Sequence, residues 1–96
     1  MPLRLICLNG HADISLDAAT VVVGRHHWCD VRIDSPRVSR RHCRLILGHD
    51  GVLVHDLGST NGTRINGQRV AQAVLLPGDE LAIAHCRYQL ENLSGP

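Results

Sequence analysis

The sequence predicts a single all-β domain, built as a sandwich of two packed sheets. Three observations support this prediction. Apolar and β-branched runs of strand length follow one another along the chain, turn signals separate them at short intervals, and no window of helical periodicity is long enough to compete. The 96 residues, 44% apolar and 20% charged, are typical of one globular domain. A chain of this size buries roughly 65% of its unfolded surface, enough for one core.

The first three predicted strands occupy residues 3–8, 20–24 and 31–33. LRLICL, at 3–8, alternates apolar with mixed residues and ends at an Asn-Gly turn signal. TVVVG, at 20–24, is a β-branched run that ends at glycine, and VRI, at 31–33, is short and is followed by the turn signal DSP. These runs have the length and composition of strands in a sandwich.

The remaining predicted strands occupy residues 42–47, 52–57, 80–85 and 86–91. HCRLIL and VLVHDL flank the turn signal GHDG, which indicates a hairpin. ELAIAH and CRYQLE follow the turn signal PGD and close the chain. These four runs complete the set of strands that the residue pattern indicates by itself.

The stretch DLGSTNGTRINGQRV contains two Asn-Gly dipeptides, at 61–62 and 66–67. Asn-Gly is the strongest short hairpin signal because both residues tolerate positive φ. The three residues between the dipeptides leave room for one very short strand. We therefore expect two tight turns here, which either reverse the chain only or present exposed hydroxyl, amide and N–H groups to a ligand.

Composition argues against several classes of function. A net charge of +1 is too small for a general nucleic-acid binder, and one Trp, one Tyr and no Phe cannot form a stacking platform for single strands. No run approaches the ~18 apolar residues of a membrane helix. The first ten residues, MPLRLICLNG, do not resemble a signal peptide. We expect a cytoplasmic protein or an intracellular module of a larger one.

The cysteines give little support for a metal or redox site. Without a CxxC spacing, we expect buried free thiols, no metal and no cofactor. One alternative stays open, a metal site that combines His26 and His27 with one or two cysteines, although this spacing is not a known structural zinc motif. The four cysteines are Cys7, Cys29, Cys43 and Cys86.

Polar residues suited to an anion cluster in three predicted loops. Arg25 follows the glycine that ends a strand, Ser39 and Arg40 precede another strand, and Thr60 and Asn61 lie in the double-turn stretch. Arginine, hydroxyl and amide groups all donate hydrogen bonds, and a phosphate offers three strong acceptor oxygens that arginine matches in a fork. Loops at one end of a sandwich can gather such groups. The sequence thus predicts an anion-binding set of loops.

The motifs around these residues resemble those of the forkhead-associated (FHA) domain family. The order Gly-Arg, Ser-x-x-His and Ser-Thr-Asn-Gly-Thr, at residues 24–25, 39–42 and 59–63, is specific in combination, and the resemblance runs from about residue 5 to 90. It implies a sandwich of two mainly antiparallel twisted sheets with about eleven strands and ligand-binding loops at one end. It also implies a non-enzymatic module that binds phosphothreonine peptides in Ser/Thr kinase signalling.

The resemblance assigns a role to each matching residue. Arg25 matches the arginine that contacts the phosphate, and Ser39 the serine whose hydroxyl and backbone hold it. Arg40 matches a residue that commonly adds a phosphate contact. Thr60 matches a second hydroxyl facing the phosphate, and Asn61 the asparagine that holds the peptide main chain.

Further positions match the architecture of the family or its periphery. Gly24, His42 and Gly62 match structural positions of the site. Arg64 stands where an apolar or aromatic residue is frequent, and Ala84 stands where glycine is frequent, so these two depart from the family pattern. Residues expected to make peripheral peptide contacts are Arg41, Ser59 and Arg64.

Two alternatives to phosphopeptide binding stay open at this point. One is a hydrolase that uses Ser39 and His42 with Asp56, although the chain lacks a G-x-S-x-G elbow. The other is an FHA domain that binds a protein partner independently of phosphate. We expect one domain over 1–96, with its core at about 3–91 and a tail or linker at 92–96, and a monomer that binds neither nucleic acid nor membranes.

Overall fold

A computed structural model describes residues 2–94 and contains no helix within them. No helix in this part of the chain is therefore long and apolar enough to cross a membrane. The eleven strands of the described residues are β1 (Leu3–Cys7), β2 (Ile14–Leu16), β3 (Thr20–Gly24), β4 (Val31–Arg32), β5 (Cys43–Leu47), β6 (Val52–Asp56), β7 (Thr63–Ile65), β8 (Gln68–Arg69), β9 (Gln72–Leu75), β10 (Glu80–Ile83) and β11 (Cys86–Asn92).

The strands form two sheets, which confirms the predicted sandwich. A six-stranded sheet has the order β2-β1-β11-β10-β7-β8, and a five-stranded sheet has the order β4-β3-β5-β6-β9. Neighbouring strands are antiparallel except β3 and β4, which run parallel. The first strand pairs with the last over the full length of β1, from Leu3 opposite Asn92 to Cys7 opposite Tyr88. This pairing fixes the two ends of the described chain in one sheet.

Alternate residues of the strands face a core between the two sheets. The pattern is regular in β10 and β11, where every second residue is buried. Such alternation is the signature of a strand with one face in the core. Side chains that are at most 1% exposed include Leu5, Val23, Leu45, Val54, Leu75, Leu81, Ile83, Tyr88 and Leu90.

Three strands were missing from the residue-based prediction, namely β2, β8 and β9. Each is short, and β8 consists of two exposed polar residues, so no apolar pattern marks it. The eleven-strand count came from the family resemblance and is confirmed. The predicted strand at 42–47 began one residue too early, because His42 lies outside β5. The predicted strand at 80–85 ends at Ile83, since Ala84 has a φ of 54° and turns the chain into β11.

The two Asn-Gly dipeptides behave differently, so half of the double-turn prediction is wrong. Asn66 and Gly67 have φ values of 51° and 84° and join β7 to β8 as a two-residue hairpin. At the first dipeptide only Gly62 has a positive φ, of 88°. Asn61 is held differently because its amide bonds to another loop. The predicted short strand between the dipeptides is present as β7.

Strand β11 ends one residue beyond residue 91, the predicted limit of the core. Asn92 ends this strand, and the backbone N–H of Leu93 donates to the carbonyl of Pro2 at 2.9 Å. The last two residues of the predicted tail, 95 and 96, lie outside the described residues. The extent of the domain therefore stays a prediction.

Candidate functional site

The β3–β4 and β4–β5 connections meet at Gly24, where a side chain would not fit. A Cβ atom at this position would lie 2.1 Å from the carbonyl oxygen of Arg40 and 2.9 Å from the sulfur of Cys29. The φ of Gly24 is not positive, so close approach of the chain is the reason for glycine here. The predicted architectural role of Gly24 thus has a steric basis.

Backbone hydrogen bonds then join these two connections into one unit. The N–H of Arg25 donates to the carbonyl of Ser39 at 2.9 Å, and the N–H of His26 donates to the carbonyl of Arg40 at 3.2 Å. The Nε of Arg25 donates to the carbonyl of Val38 at 3.0 Å. Among residues 2–94, only Nε of this guanidinium is bonded, so the group is oriented while its two terminal nitrogens stay available to a ligand.

Asp56, at the end of β6, organises the β6–β7 connection. Its Oδ2 accepts from the backbone N–H groups of Gly58 and Ser59 at 3.0 Å each. Its Oδ1 accepts from the Ser59 hydroxyl at 2.5 Å and from the Thr63 hydroxyl at 2.7 Å. Burial opposes ionisation of this carboxyl, but the hydrogen bonds from Ser59, Thr63 and Gly58 outweigh burial and lower its pKa. Asp56 thus accepts the hydrogen bonds that stabilise this turn.

His42 ties the β4–β5 and β6–β7 connections together from beneath. Its side chain is fully buried. The Nδ1 accepts from the backbone N–H of Ser39 at 3.1 Å, so Nε2 carries the proton and donates to the carbonyl of Gly62 at 2.8 Å. Burial lowers the pKa of His42, which keeps the ring neutral near pH 7. The histidine is a structural bridge, as its match in the family implied.

Ser39, Thr60 and Asn61 come together above this bridge. The hydroxyl oxygen of Ser39 accepts from the backbone N–H of Thr60 at 3.1 Å, which leaves the hydroxyl proton free to donate. The amide nitrogen of Asn61 donates to the carbonyl of Arg37 at 2.7 Å. Both Thr60 and Asn61 are exposed. The backbone N–H of Ser39 is bonded to His42, so only the hydroxyl of Ser39 remains for a ligand.

The other predicted contact residues occupy different positions. Arg40 and Arg41 are exposed, and the Arg41 guanidinium lies 5.7 Å from the ring centroid of Trp28. Ser59, predicted as a peripheral peptide contact, is only 6% exposed and its hydroxyl is bonded within the loop. The Nη1 of Arg64 donates to the carbonyl of Asn61 at 3.3 Å. Arg64 therefore adjoins Asn61 at the edge of the loop, whereas Ser59 supports the loop from inside.

A groove runs beside Asn61 at this end of the sandwich. Its volume is about 290 Å³, and sequence reasoning did not find it because residues from three separate segments line it. No sequence spacing connects these segments. The lining residues are Arg37, Asn61, Arg64, Ala84 and His85.

The hydrolase alternative is not supported by this geometry. Both ring nitrogens of His42 are bonded to backbone groups, and neither contacts the hydroxyl of Ser39. A serine nucleophile needs a base nitrogen on its own hydroxyl. The carboxylate of Asp56 is bonded to Ser59 and Thr63 instead of to histidine. The three residues thus do not form a catalytic relay.

The metal alternative drawn from the sequence also lacks the required grouping. The rings of His26 and His27 stack at 4.3 Å, and the thiol of Cys29 donates to the carbonyl of Arg40 at 3.1 Å. Within residues 2–94, the one group of three close metal-ligating side chains is instead His11, His85 and Cys86. Sequence reasoning missed it because 74 positions separate the first two of these residues.

The FHA domain model matches residues 21–84, two thirds of the chain, and this match spans all three loops. The chain belongs to the FHA domain family. Glycogen accumulation regulator GarA of Mycobacterium tuberculosis is 40% identical over 88 residues. The match covers 92% of this FHA chain and 53% of GarA, so the chain spans about half the length of this relative.

Solved FHA structures share the architecture over nearly the whole chain. One is EmbR of Mycobacterium tuberculosis, solved in complex with a low-affinity phosphopeptide. It superposes on this chain with a TM-score of 0.87 at 26% sequence identity, and the match covers 94% of this chain and 24% of EmbR. The N-terminal FHA domain of Saccharomyces cerevisiae Rad53p, in complex with a phosphothreonine peptide, has a TM-score of 0.83 at 27% identity, with coverage of 98% and 96%. The predicted family and fold are therefore both confirmed.

Proposed function

We propose that this FHA domain binds a phosphothreonine-containing peptide and carries out no chemistry on it. The observation that carries the proposal is the junction at Ser39, where one loop hydroxyl accepts the N–H of Thr60 at 3.1 Å and keeps its own proton for a ligand. Arg25 is joined to the same residue through its backbone N–H. The loops that carry the Arg25 guanidinium and the Ser39 and Thr60 hydroxyls are thus joined by hydrogen bonds, and these three groups form a donor set that suits a phosphate dianion.

The free donors can be matched to the acceptor oxygens of a phosphate. Arg25 offers its two terminal nitrogens, since Nε is bonded to Val38. Ser39 and Thr60 offer one hydroxyl proton each. Within residues 2–94, the backbone N–H of Arg40 has no hydrogen-bond acceptor and can add a further contact beside its exposed guanidinium. This set of donors also explains why a planar, singly charged carboxylate should be a poor substitute.

Asn61 is suited to hold the main chain of the peptide. Its amide nitrogen is bonded to the carbonyl of Arg37, which fixes the side chain while the residue stays exposed. Arg41 and Arg64 lie at the edges of the loops and would contact residues of the peptide on either side of the phosphothreonine. Gly24, His42 and Gly62 would support the site without touching the ligand.

The relatives support this proposal by what their names state. Rad53p and EmbR were solved with a phosphothreonine peptide and a phosphopeptide, and GarA is named a regulator rather than an enzyme. We extend the same kind of function to this chain, as a reader or adaptor in Ser/Thr kinase signalling. The absence of a Ser39–His42 hydroxyl contact supports a non-enzymatic role.

The remaining parts of the proposal concern the whole molecule. We propose one FHA domain over 1–96 that works as a monomer and binds neither nucleic acid nor membranes. The nearly neutral net charge of +1 supports the exclusion of nucleic acid. An intracellular location is supported by four cysteines that are all free thiols.

Calorimetric titration with a degenerate phosphothreonine peptide pool tests the proposal. We expect micromolar binding, roughly 8 kcal/mol, that disappears with the unphosphorylated pool. Arg25→Ala should weaken binding by about 2–5 kcal/mol, as expected for one partner of a close charge pair. The exposed Arg87, on β11, provides the matched control, because Arg87→Ala removes the same charge away from the loops.

Two results would contradict the proposal. Equal affinity of Arg25→Ala and Arg87→Ala for the phosphopeptide pool would show that the phosphate does not bind at these loops. Lack of any phosphate-dependent binding by a folded sample would reject phosphopeptide recognition and favour a protein partner bound independently of phosphate.

A further inference from the structure

A cluster of two histidines and one cysteine lies where the β1–β2 connection meets the β10–β11 turn. His11 belongs to the connection, and His85 and Cys86 belong to the turn and the start of β11. One ligating atom of each residue lies within 4.8 Å of those of the other two. The Cys86 sulfur is 4.0 Å from Nε2 of His85, and the two imidazole rings meet edge to face with centroids 5.5 Å apart.

The ligand chemistry of this cluster is that of a soft or borderline divalent metal. Imidazole nitrogen and thiolate sulfur are the preferred ligands of zinc, at about 2.0 Å and 2.3 Å, and a tetrahedral centre with these bonds holds its ligand atoms roughly 3.3–3.5 Å apart. The observed spacing, within 4.8 Å, exceeds this by at most about 1.5 Å. Rotation of the half-buried His11 and the exposed His85 side chains to other rotamers can shorten these distances.

We propose that His11, His85 and Cys86 bind a zinc-like divalent ion, with a water molecule in the fourth position. Three protein ligands and one open position form a common coordination set for zinc. The proposal does not rest on the proposed function, because none of the three residues belongs to the phosphate-binding set, although His85 also lines the groove beside Asn61. It also differs from the metal alternative that the sequence suggested, which involved His26 and His27.

The surroundings of the cluster orient two of its ligands. The backbone N–H of His11 donates to the sulfur of Cys7 at 3.1 Å. The side chain of Asn9 donates to the carbonyl of His85 at 2.7 Å and accepts from the backbone N–H of Arg87 at 3.0 Å. The loop that carries His11 is therefore fixed to the turn that carries His85. Groups of this kind, which orient metal ligands from outside the coordination sphere, commonly strengthen metal sites.

The third ligand differs from the histidines because it is fully buried. The Cys86 side chain belongs to the apolar core cluster between the sheets. A bound divalent ion would displace the thiol proton, since coordination deprotonates thiols.

Cobalt titration of the reduced, chelator-treated full chain tests the proposal. Co²⁺ reports thiolate ligation by a near-ultraviolet charge-transfer band and low-coordinate geometry by strong visible absorption. We expect one Co²⁺ per chain, with both signals, and displacement of Co²⁺ by Zn²⁺. His85→Ala should weaken binding by roughly tenfold or more, and Cys86→Ala should remove the near-ultraviolet band.

A matched control comes from a histidine that lies outside the cluster. His49 is exposed in the β5–β6 turn, so His49→Ala should bind Co²⁺ like the unmodified protein. Zn²⁺ should also raise the melting temperature of the unmodified protein and of His49→Ala, but not of His85→Ala, because a ligand that binds only the folded state stabilises it. His85 is exposed, so His85→Ala is expected to fold.

Three results would overturn the proposal. The first is the absence of a charge-transfer band in the unmodified protein. The second is an unchanged affinity in His85→Ala relative to His49→Ala. The third is a charge-transfer band that persists in Cys86→Ala, which would show that the thiolate belongs to another cysteine. If Cys86→Ala does not fold, His11→Ala with the same affinity readout replaces it.

Discussion

Removal of the His42 side chain is the perturbation that best separates support of the site from contact with the ligand. The imidazole is fully buried and bridges two loops through the N–H of Ser39 and the carbonyl of Gly62. In His42→Ala both backbone groups lose their partner at once. The variant should therefore lose stability and phosphopeptide binding together, although His42 does not touch the proposed phosphate.

The size of the loss in stability follows from the burial of the two backbone groups that lose their hydrogen-bond partners. A buried polar group without a partner costs about 1–3 kcal/mol. Gly62 is buried and should incur most of that cost, whereas Ser39 is half-buried and water can reach it in part. With the cavity left by the ring, the loss in free energy of unfolding should be about 3–5 kcal/mol. Such a loss is a large share of the roughly 5–15 kcal/mol that stabilises a typical domain.

Urea unfolding followed by far-ultraviolet circular dichroism measures this loss. With a slope of about 1–3 kcal/mol per molar urea, the midpoint should fall by roughly 1–5 M. His49→Ala removes an exposed histidine and should stay within about 0.5 kcal/mol of the unmodified protein. His42→Gln should recover part of the loss, since its amide can both donate and accept. A midpoint for His42→Ala equal to that of His49→Ala would refute the bridging role.

Three further predictions concern stability and its dependence on pH. Burial lowers the pKa of His42, so the unfolded chain binds a proton more readily than the folded chain does. The contribution of neutral His42 to the free energy of unfolding should therefore be fully present above about pH 6.5 and be lost as the pH falls through the folded-state pKa. The fall, up to about 1.4 kcal/mol per pH unit, should be shallower in His42→Gln when urea midpoints are compared between pH 7 and 5. Gly24→Ala should lower the free energy of unfolding by roughly 1–3 kcal/mol, because the new Cβ would meet the carbonyl of Arg40. It should also weaken phosphopeptide binding in a calorimetric titration, and binding equal to that of the unmodified domain would contradict this. Ala84→Gly should raise the free energy of unfolding by about 0.5–1 kcal/mol, because Ala84 has a φ of 54°, which glycine adopts with less strain. Thermal unfolding measures this change, and a lower melting temperature for the variant would contradict the prediction.

The residue pattern predicted most of the strands that have an apolar face in the core, but it missed β2, whose Ile14 and Leu16 face the core. β3, β5, β6, β10 and β11 were found with bounds within two residues, because alternating burial leaves a pattern in the sequence. β8 leaves no such pattern, since both of its residues are exposed and only its hairpin partner β7 makes it a strand. β2 and β9 are edge strands of three and four residues, too short to carry a clear pattern.

The candidate site was predicted from motifs, but its internal roles were not. The motifs brought Arg25, Ser39 and Thr60 to attention, and the structure brings their loops together. It also shows that Ser59 lies inside the loop, where its hydroxyl is bonded to Asp56. Nothing in the letters STNGT distinguishes the exposed hydroxyl of Thr60 from the buried one of Ser59, because burial depends on the path of the chain.

The sequence by itself determined the family, the all-β class and the loops that carry the candidate site, because these depend on local composition and on short motifs. Only the tertiary structure decided which groups meet. The bridge from His42 to Gly62, the steric need for Gly24 and the cluster of His11, His85 and Cys86 all join segments far apart in the chain. The pairing of β1 with β11 creates that cluster, and pairings between distant strands leave no local trace in the sequence.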